Sequence, residues 1–140
     1  GPNDNCSEKD SHVIPGLIKR MHKAKVTNAE SFNIWGTGGP LREFLFVDDL
    51  SKAVEFLIDK KVETDLLNVG SGNEITIKNL AEKIKKVIAY QGELIFDTSM
   101  PDGNPRKLID SQKINNLGWE PSVDLDEGLK ITYSWFLENN

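Results

Sequence analysis

The sequence contains little cysteine and histidine and no long apolar run, and each scarcity argues against a class of protein. The single cysteine, Cys6, cannot form a disulfide within the chain, so we expect a reducing compartment and a cytoplasmic protein. Two histidines and one cysteine do not provide the usual ligand spacings of a metal site, and no metal is expected. No segment approaches the roughly 18 apolar residues that span a membrane.

Arginine is also scarce, and the net charge is negative. A net charge of −5 argues against a nucleic-acid or anionic-membrane partner, so any anion site must be local. Of the 17 basic residues, only Arg20, Arg42 and Arg106 are arginines. The planar guanidinium suits phosphate oxygens better than an ammonium group does. The three arginines are therefore candidates for ligand recognition, although surface cations without a binding role explain the composition equally well.

The 140 residues are enough for one domain with a sizeable core. No signal-peptide pattern stands at the start of the sequence. No methionine opens the chain, so we expect a processed protein or a piece of a longer one.

Alternating helices and strands place the chain in the α/β class. The apolar periodicity predicts helices over 11–25, from Asp48 or Asp49 to about 60, over 77–88, over 111–117 and over 125–138. Asp48 or Asp49 is the predicted N-cap of the second helix. The predicted N-caps of the first, third and last helices are Ser11, Thr76 and Asp124. Strands are predicted over 32–35, 42–47, 66–69 and 93–97.

The glycine-rich stretch WGTGGPLREFLFVDD, residues 35–49, resembles a phosphate-binding loop only superficially. Such a loop needs a helix directly after it, whereas Pro40 and an alternating, strand-like segment follow here. We expect the loop to join two strands as a hairpin or as neighbours. Trp35 and Arg42 then flank it, one offering a flat surface to a sugar or base and the other a fork to a diphosphate. Trp35 as an ordinary core residue is the alternative.

Other parts of the chain carry weaker signals. Residues 70–72, Gly-Ser-Gly, lack the third glycine of a dinucleotide fingerprint and are interpreted as a strand-to-helix turn. His12 begins the first helix, where the helix dipole favours a neutral imidazole that can accept a proton, although a capping histidine is the commoner case. His22 is predicted on a solvated face. A thiol–imidazole pair of Cys6 and His12 is possible, but proximity within a loop does not establish it.

The segments SHVIPGLIKR, PDGNPRK and TYSWFLEN, together with the glycine stretch, resemble the C-terminal part of the GDP-L-fucose synthases. These enzymes are extended short-chain dehydrogenase/reductases of the NAD-dependent epimerase/dehydratase group. The resemblance covers essentially the whole chain. It implies that residues 1–140 form a substrate-binding C-terminal domain of mixed helices and short strands. The Rossmann half would precede Gly1, and the segment at about 48–70 would pack on the Rossmann sheet.

The resemblance also implies an activity. The family epimerises carbons 3 and 5 of GDP-4-keto-6-deoxy-D-mannose and then reduces the 4-keto group with NADPH. NADP(H) would be bound mainly by the missing half, the full enzyme would be a homodimer, and the isolated chain would be inactive. By motif position, the implied roles are acid/base catalysis for His12, substrate binding for Arg20, Trp35, Arg42, Arg106 and Lys107, and cofactor contact for Gly1.

One position departs from the family pattern. Cys6 lies where the family usually carries an aromatic residue, and the catalytic cysteine of the family lies upstream of Gly1. Two alternatives remain: a fragment of another sugar-nucleotide epimerase or dehydratase, and a non-catalytic nucleotide-sugar-binding module. An upstream reading frame that encodes a glycine loop and a Tyr-x-x-x-Lys pair would favour the enzyme.

Overall fold

The structure is a computed structural model and describes residues 1–7, 10–58, 60–62 and 66–140. Helices and strands alternate in this part of the chain, which confirms the predicted α/β class. The helices are α1 (Val13–Val26), α2 (Val47–Ile58), α3 (Ile77–Ile88), α4 (Gln112–Asn116) and α5 (Leu125–Asn139). The strands are β1 (Ser31–Trp35), β2 (Leu41–Glu43), β3 (Glu74–Thr76), β4 (Glu93–Asp97) and β5 (Arg106–Lys107).

Two small sheets organise the chain. In the first sheet β1 and β4 are parallel, and the alternation of β1 turns Phe32 and Ile34 inward. Helices α1, α3 and α5 supply most of the remaining core, whose fully buried members include Leu17, Ile18, Met21, Leu80, Ile84, Ile88 and Leu129. In the second sheet β2 lies between antiparallel β3 and parallel β5, which places Arg42 beside Lys107.

Local capping signals fix three of the helices as the sequence predicts. The Thr76 hydroxyl accepts a hydrogen bond from the Asn79 amide at 3.1 Å and begins α3. The Asp124 carboxylate accepts one from the Glu127 amide at 2.8 Å and begins α5. Helix α4 ends before Gly118, whose φ of +95° suits glycine.

The predicted caps of α1 and α2 are wrong. His12, not Ser11, occupies the N-cap position of α1, and its side chain makes no capping hydrogen bond. Asp48 and Asp49 lie inside the first turn of α2, and the Asp49 carboxylate is turned instead towards a distant loop.

The predicted pairing of the two strands around the glycine loop is also wrong. Strand β1 pairs with β4, and β2 belongs to the other sheet, so the loop crosses between sheets. The second strand ends at Glu43 because the chain turns into α2 at Val47. Residues 66–69, predicted as a strand, are irregular in the structure. Residues 70–72 lead into β3 before α3 begins.

The described chain covers little of helix α2, in which only Asp49 and Ala53 are buried. Its Ala53 joins Ile114 and Trp119 in a second, smaller core cluster. Its apolar residues Leu50, Val54 and Ile58 are exposed, because nothing in the described chain covers them. The predicted end of this helix at about 60 includes residue 59, which lies outside the described residues.

Candidate functional site

Three of the predicted site residues meet at one open cleft of about 500 Å³. Helix α1 contributes His12 at its start and Arg20 two turns later, and the end of β1 contributes Trp35. The remaining lining residues are Ser11, Val13, Gly16 and Lys23. A titratable imidazole, a guanidinium and an indole therefore share one solvent-accessible surface.

The side chains of this cleft are available to a ligand in different ways. His12 is exposed and makes no capping hydrogen bond, so helix capping does not account for it. Trp35 is 66% exposed, which excludes the alternative of a core tryptophan. Arg20 is held along α1, since its Nε donates to the Gly16 carbonyl at 3.2 Å and its guanidinium lies 5.5 Å from the centre of the Phe32 ring.

Partial burial lowers the pKa of Arg20 below the ordinary arginine value. The group nevertheless stays cationic at neutral pH. The cleft therefore carries a fixed positive charge beside an exposed aromatic ring.

The glycine loop binds a carboxylate of its own chain. The Thr37 amide donates to Asp102 Oδ1 at 2.9 Å, and the Thr37 hydroxyl donates to Asp102 Oδ2 at 2.6 Å. Gly36 and Gly38 have φ of +80° and +73°, and a Cβ on Gly36 would collide with Asp102. The glycine at position 36 therefore lets the backbone of the loop approach Asp102 closely.

The second glycine turn is filled in the same way. The Gly72 amide donates to Glu43 Oε1 at 2.7 Å, and a Cβ on Gly70 would lie 2.5 Å from the same oxygen. Neither turn therefore offers a free cradle to the phosphates of a dinucleotide. Among the described residues, these two turns are the ones that most resemble a cofactor loop.

Arg42 lies on β2 and is held by one nitrogen. Its Nη1 donates to the carbonyls of Leu41 and Asn104, each at 2.7 Å. Within the described residues Nε and Nη2 donate to no acceptor, so two donor groups remain for a ligand. Lys107, its register partner on β5, is exposed.

Arg106, by contrast, forms an ion pair. Its Nε and Nη2 donate to the Glu74 carboxylate at 2.8 and 2.6 Å. These hydrogen bonds lower the pKa of Glu74 and raise the pKa of Arg106. The pair joins β3 to β5, and it occupies the Nε and Nη2 side of the guanidinium, which is the side that stays open in Arg42.

The remaining candidates, Gly1, Cys6 and His22, are not among the residues that line the cleft of His12, Arg20 and Trp35. Gly1 packs against Val47 at the start of α2. Cys6 packs against the main core, and burial raises the pKa of its thiol, which does not favour a reactive thiolate. The prediction for His22 is wrong: it is half-buried, and its Nδ1 shares a 2.9 Å hydrogen bond with the Tyr133 hydroxyl.

Sequence reasoning missed that a charged side chain in the first turn of α2 is buried. Asp49 is 1% exposed, and it accepts hydrogen bonds from the amides of Ser122 and Val123 at 2.9 and 2.8 Å. The Ser122 hydroxyl and Lys52 also donate to it. Burial alone would raise the pKa of Asp49, but these hydrogen bonds outweigh it and lower the pKa. The carboxylate thus ties α2 to the loop before α5.

Comparisons with known proteins agree with these features. The sequence model described as "NAD dependent epimerase/dehydratase family" matches residues 1–70, half of the chain. The chain belongs to this family. A structure of a GDP-L-fucose synthetase from Naegleria fowleri bound to NADP superposes with a TM-score of 0.91 at 30% identity, covering 99% of this chain and 44% of that one.

Two curated relatives of this epimerase/dehydratase chain are closer in sequence. A probable GDP-L-fucose synthase 1 from Oryza sativa subsp. japonica is 56% identical over 99% of this chain and 42% of its own length. The GDP-L-fucose synthase of Escherichia coli (strain K12) is 45% identical over 99% of this chain and 46% of its own length. The chain thus spans less than half the length of these relatives.

Within the described part of the chain, no group of three or more histidine, cysteine, aspartate and glutamate side chains is placed to hold a metal ion. None of the described helices combines the length and the apolarity needed to cross a membrane.

Proposed function

We propose that the chain is the C-terminal, substrate-binding part of an enzyme that converts GDP-4-keto-6-deoxy-D-mannose to GDP-L-fucose. The observation that carries this proposal is the cleft at which His12, Arg20 and Trp35 meet. An acid/base group, a cation and an aromatic surface are what an epimerase needs to bind a nucleotide sugar and move its protons. The match to GDP-L-fucose synthases over nearly the whole chain supports the choice of substrate.

The proposed chemistry begins at the 4-keto group of the sugar. This group makes the protons on the neighbouring carbons acidic, because the electrons left behind can delocalise onto the carbonyl oxygen. His12 then acts as a general acid/base for the epimerisation, a role that contributes typically about 10²–10⁴-fold in rate. The absence of a capping hydrogen bond supports this role, since it leaves the His12 imidazole available.

The remaining predicted residues are proposed to bind the substrate. Trp35 offers its exposed face to the sugar or the base, and the free Nε and Nη2 of Arg42 suit a bidentate contact with a phosphate. Arg20 and Lys107 add positive charge. Arg106 is a weaker candidate, because Glu74 already engages its guanidinium.

The cofactor is proposed to lie mainly outside this chain. A nicotinamide cofactor supplies the hydride that reduces the 4-keto group. Carboxylates of the chain fill both glycine turns, which supports the assignment of NADP(H) to the rest of the enzyme. The proposed contact from Gly1 stays a prediction.

We also propose that the rest of the enzyme covers α2 and the following segment, at about 48–70. Val47, Leu50, Val54 and Ile58 form an apolar stripe at helical spacing, and they are 42, 46, 55 and 75% exposed. A stripe of this kind is normally buried against another element. The complete protein is proposed to be a cytoplasmic homodimer.

The test is product analysis with the complete protein that contains this chain. Incubation with GDP-4-keto-6-deoxy-D-mannose and NADPH should yield GDP-L-fucose, and residues 1–140 alone should oxidise no NADPH. A different sugar-nucleotide product would favour another epimerase or dehydratase. Binding of the nucleotide sugar without turnover would favour the non-catalytic module.

A further inference from the structure

The contact between Thr37 and Asp102 joins the two segments that carry the proposed ligand contacts. We call this pair the Thr37–Asp102 clasp. Both carboxylate oxygens of Asp102 accept from the single residue Thr37, at 2.9 Å from its amide and 2.6 Å from its hydroxyl. The same hydroxyl accepts from the Gly39 amide at 3.0 Å, which folds the glycine loop around it.

The clasp is linked to both Trp35 and Arg42 through the residues next to it. Thr37 follows Trp35 by two residues, and Trp35 projects from the end of β1. Asp102 precedes Asn104 by two residues, and the Asn104 carbonyl accepts from Arg42 Nη1 at 2.7 Å. A short path of covalent and hydrogen bonds therefore runs from the indole to the guanidinium through Thr37 and Asp102.

A link of this kind is needed because the two ends of the glycine loop belong to different sheets. Strand β1 is paired with β4, whereas β2 is paired with β3 and β5. The second half of the loop is fixed to the start of α3 through the carbonyls of Gly38 and Pro40. The clasp fixes its first half, next to Trp35, to the segment that holds Arg42.

We propose that the Thr37–Asp102 clasp is a positioning device that sets the separation of Trp35 and Arg42 before the ligand binds. Preorganised groups bind more tightly, because the ligand does not have to order them. The clasp thereby favours ligands whose ring and diphosphate are separated as Trp35 and Arg42 are. The inference rests on the proposed function, since it assumes that both residues contact a nucleotide diphosphate-sugar.

The test uses a pair of matched substitutions in the complete protein. Thr37→Val keeps the branched shape but removes the hydroxyl, whereas Thr37→Ser keeps the hydroxyl. GDP-mannose binding is measured by titration calorimetry. We expect Thr37→Val to raise the dissociation constant about tenfold, which corresponds to about 1.4 kcal/mol, and Thr37→Ser to stay within about twofold of wild type. If Thr37→Val does not fold, Asp102→Asn replaces it.

A double-mutant cycle distinguishes positioning from a general loss of structure. If the clasp acts through Trp35, Thr37→Val should have little further effect on the dissociation constant in a Trp35→Ala background. Fully additive effects, or equal binding by the valine and serine variants, would overturn the clasp and leave the proposed function standing. Failure of the wild-type protein to bind either GDP or GDP-mannose would overturn the proposed function, and the clasp with it.

Discussion

Arg42 shows, at the scale of single residues, how a side chain can be held in place and still serve a ligand. One nitrogen binds two backbone carbonyls, and the other two remain. A lysine could replace the charge but not this division of donors, because an ammonium group has no planar fork. Substitution of Arg42 by lysine therefore removes the planar geometry and keeps the charge.

Arg42→Lys should weaken nucleotide binding even though the charge is kept. The loss of a bidentate, charge-assisted contact is expected to cost about 1.5–3 kcal/mol, or roughly a 10- to 150-fold rise in dissociation constant. Titration of GDP into the complete protein at low and high salt measures this, and the effect should shrink as salt screens the phosphates. Arg106→Lys is the matched comparison and should have a smaller effect. Unchanged GDP affinity of Arg42→Lys at low salt would contradict the assignment.

Asp49 gives rise to a pH dependence of stability. Folding lowers its pKa, so on acidification the unfolded chain takes up the proton before the folded chain does. The stabilising contribution is therefore present above the ordinary aspartate pKa of 3.8 and is lost as the pH falls through the folded-state value.

Asp49→Asn should lower the free energy of unfolding at pH 7 by about 1.5–3 kcal/mol, the range for hydrogen bonds to a charged group. It should also lose less stability than wild type below about pH 4, because the titrating group is gone. Urea unfolding over a pH series measures both effects. Asp48→Asn, at the exposed neighbouring position, is the control. Parallel pH profiles for wild type and Asp49→Asn would exclude the assigned role.

Some features of single residues could be predicted from the sequence, and others could not. The chemical character of Trp35 and His12, and their places at a strand end and a helix start, could be predicted because both signals are local. The partners Thr37 and Asp102 could not, since 65 residues separate them and turn residues such as Asp102 ordinarily need no partner.

At the scale of elements, local signals predict most of the helices, whereas most of the wrong predictions concern strands. The pairing of a strand depends on residues that are distant in the sequence. Helices α3 and α5 were predicted from their periodicity and caps, and β4 from its composition. The pairing of β1 with β4 joins Ser31 to Glu93, and no local pattern specifies which distant strand will be the neighbour. The short strands β3 and β5, which the sequence did not suggest, depend on β2 for their pairing.

The close packing of the glycine loop can be tested by comparing alanine substitutions at two glycines, one inside the loop and one outside it. Gly38 and Gly72 have φ of +73° and +72°, but a Cβ on Gly38 would lie 2.6 Å from the Phe96 ring, whereas one on Gly72 would meet nothing within 4 Å. Gly72→Ala should cost only the backbone term of about 1–2 kcal/mol. Gly38→Ala should cost about 1–3 kcal/mol more, through overpacking. Equal unfolding free energies for the two variants would show that the loop does not pack closely.

At the scale of the whole molecule, the exposed stripe on α2 has a consequence for residues 1–140 prepared alone. We expect concentration-dependent self-association, because the stripe has no cover within the described chain. The combined change Val54→Lys and Ile58→Lys should reduce it, and Ser51→Lys, which adds charge without removing apolar surface, should not. Sedimentation velocity measures the association. A monomer at all concentrations would contradict the proposal that this face is normally covered.

The central claim is that His12 moves protons on the nucleotide sugar. His12→Asn removes the base and leaves the rest of the cleft in place, and His22→Asn is a matched control on the same helix, outside the cleft. The direct measurement is deuterium exchange from solvent into carbons 3 and 5 of GDP-4-keto-6-deoxy-D-mannose, followed with the complete protein. We expect exchange by wild type and His22→Asn, and a loss of about 10²–10⁴-fold in His12→Asn. Exchange at wild-type rates at both carbons in His12→Asn would contradict the account.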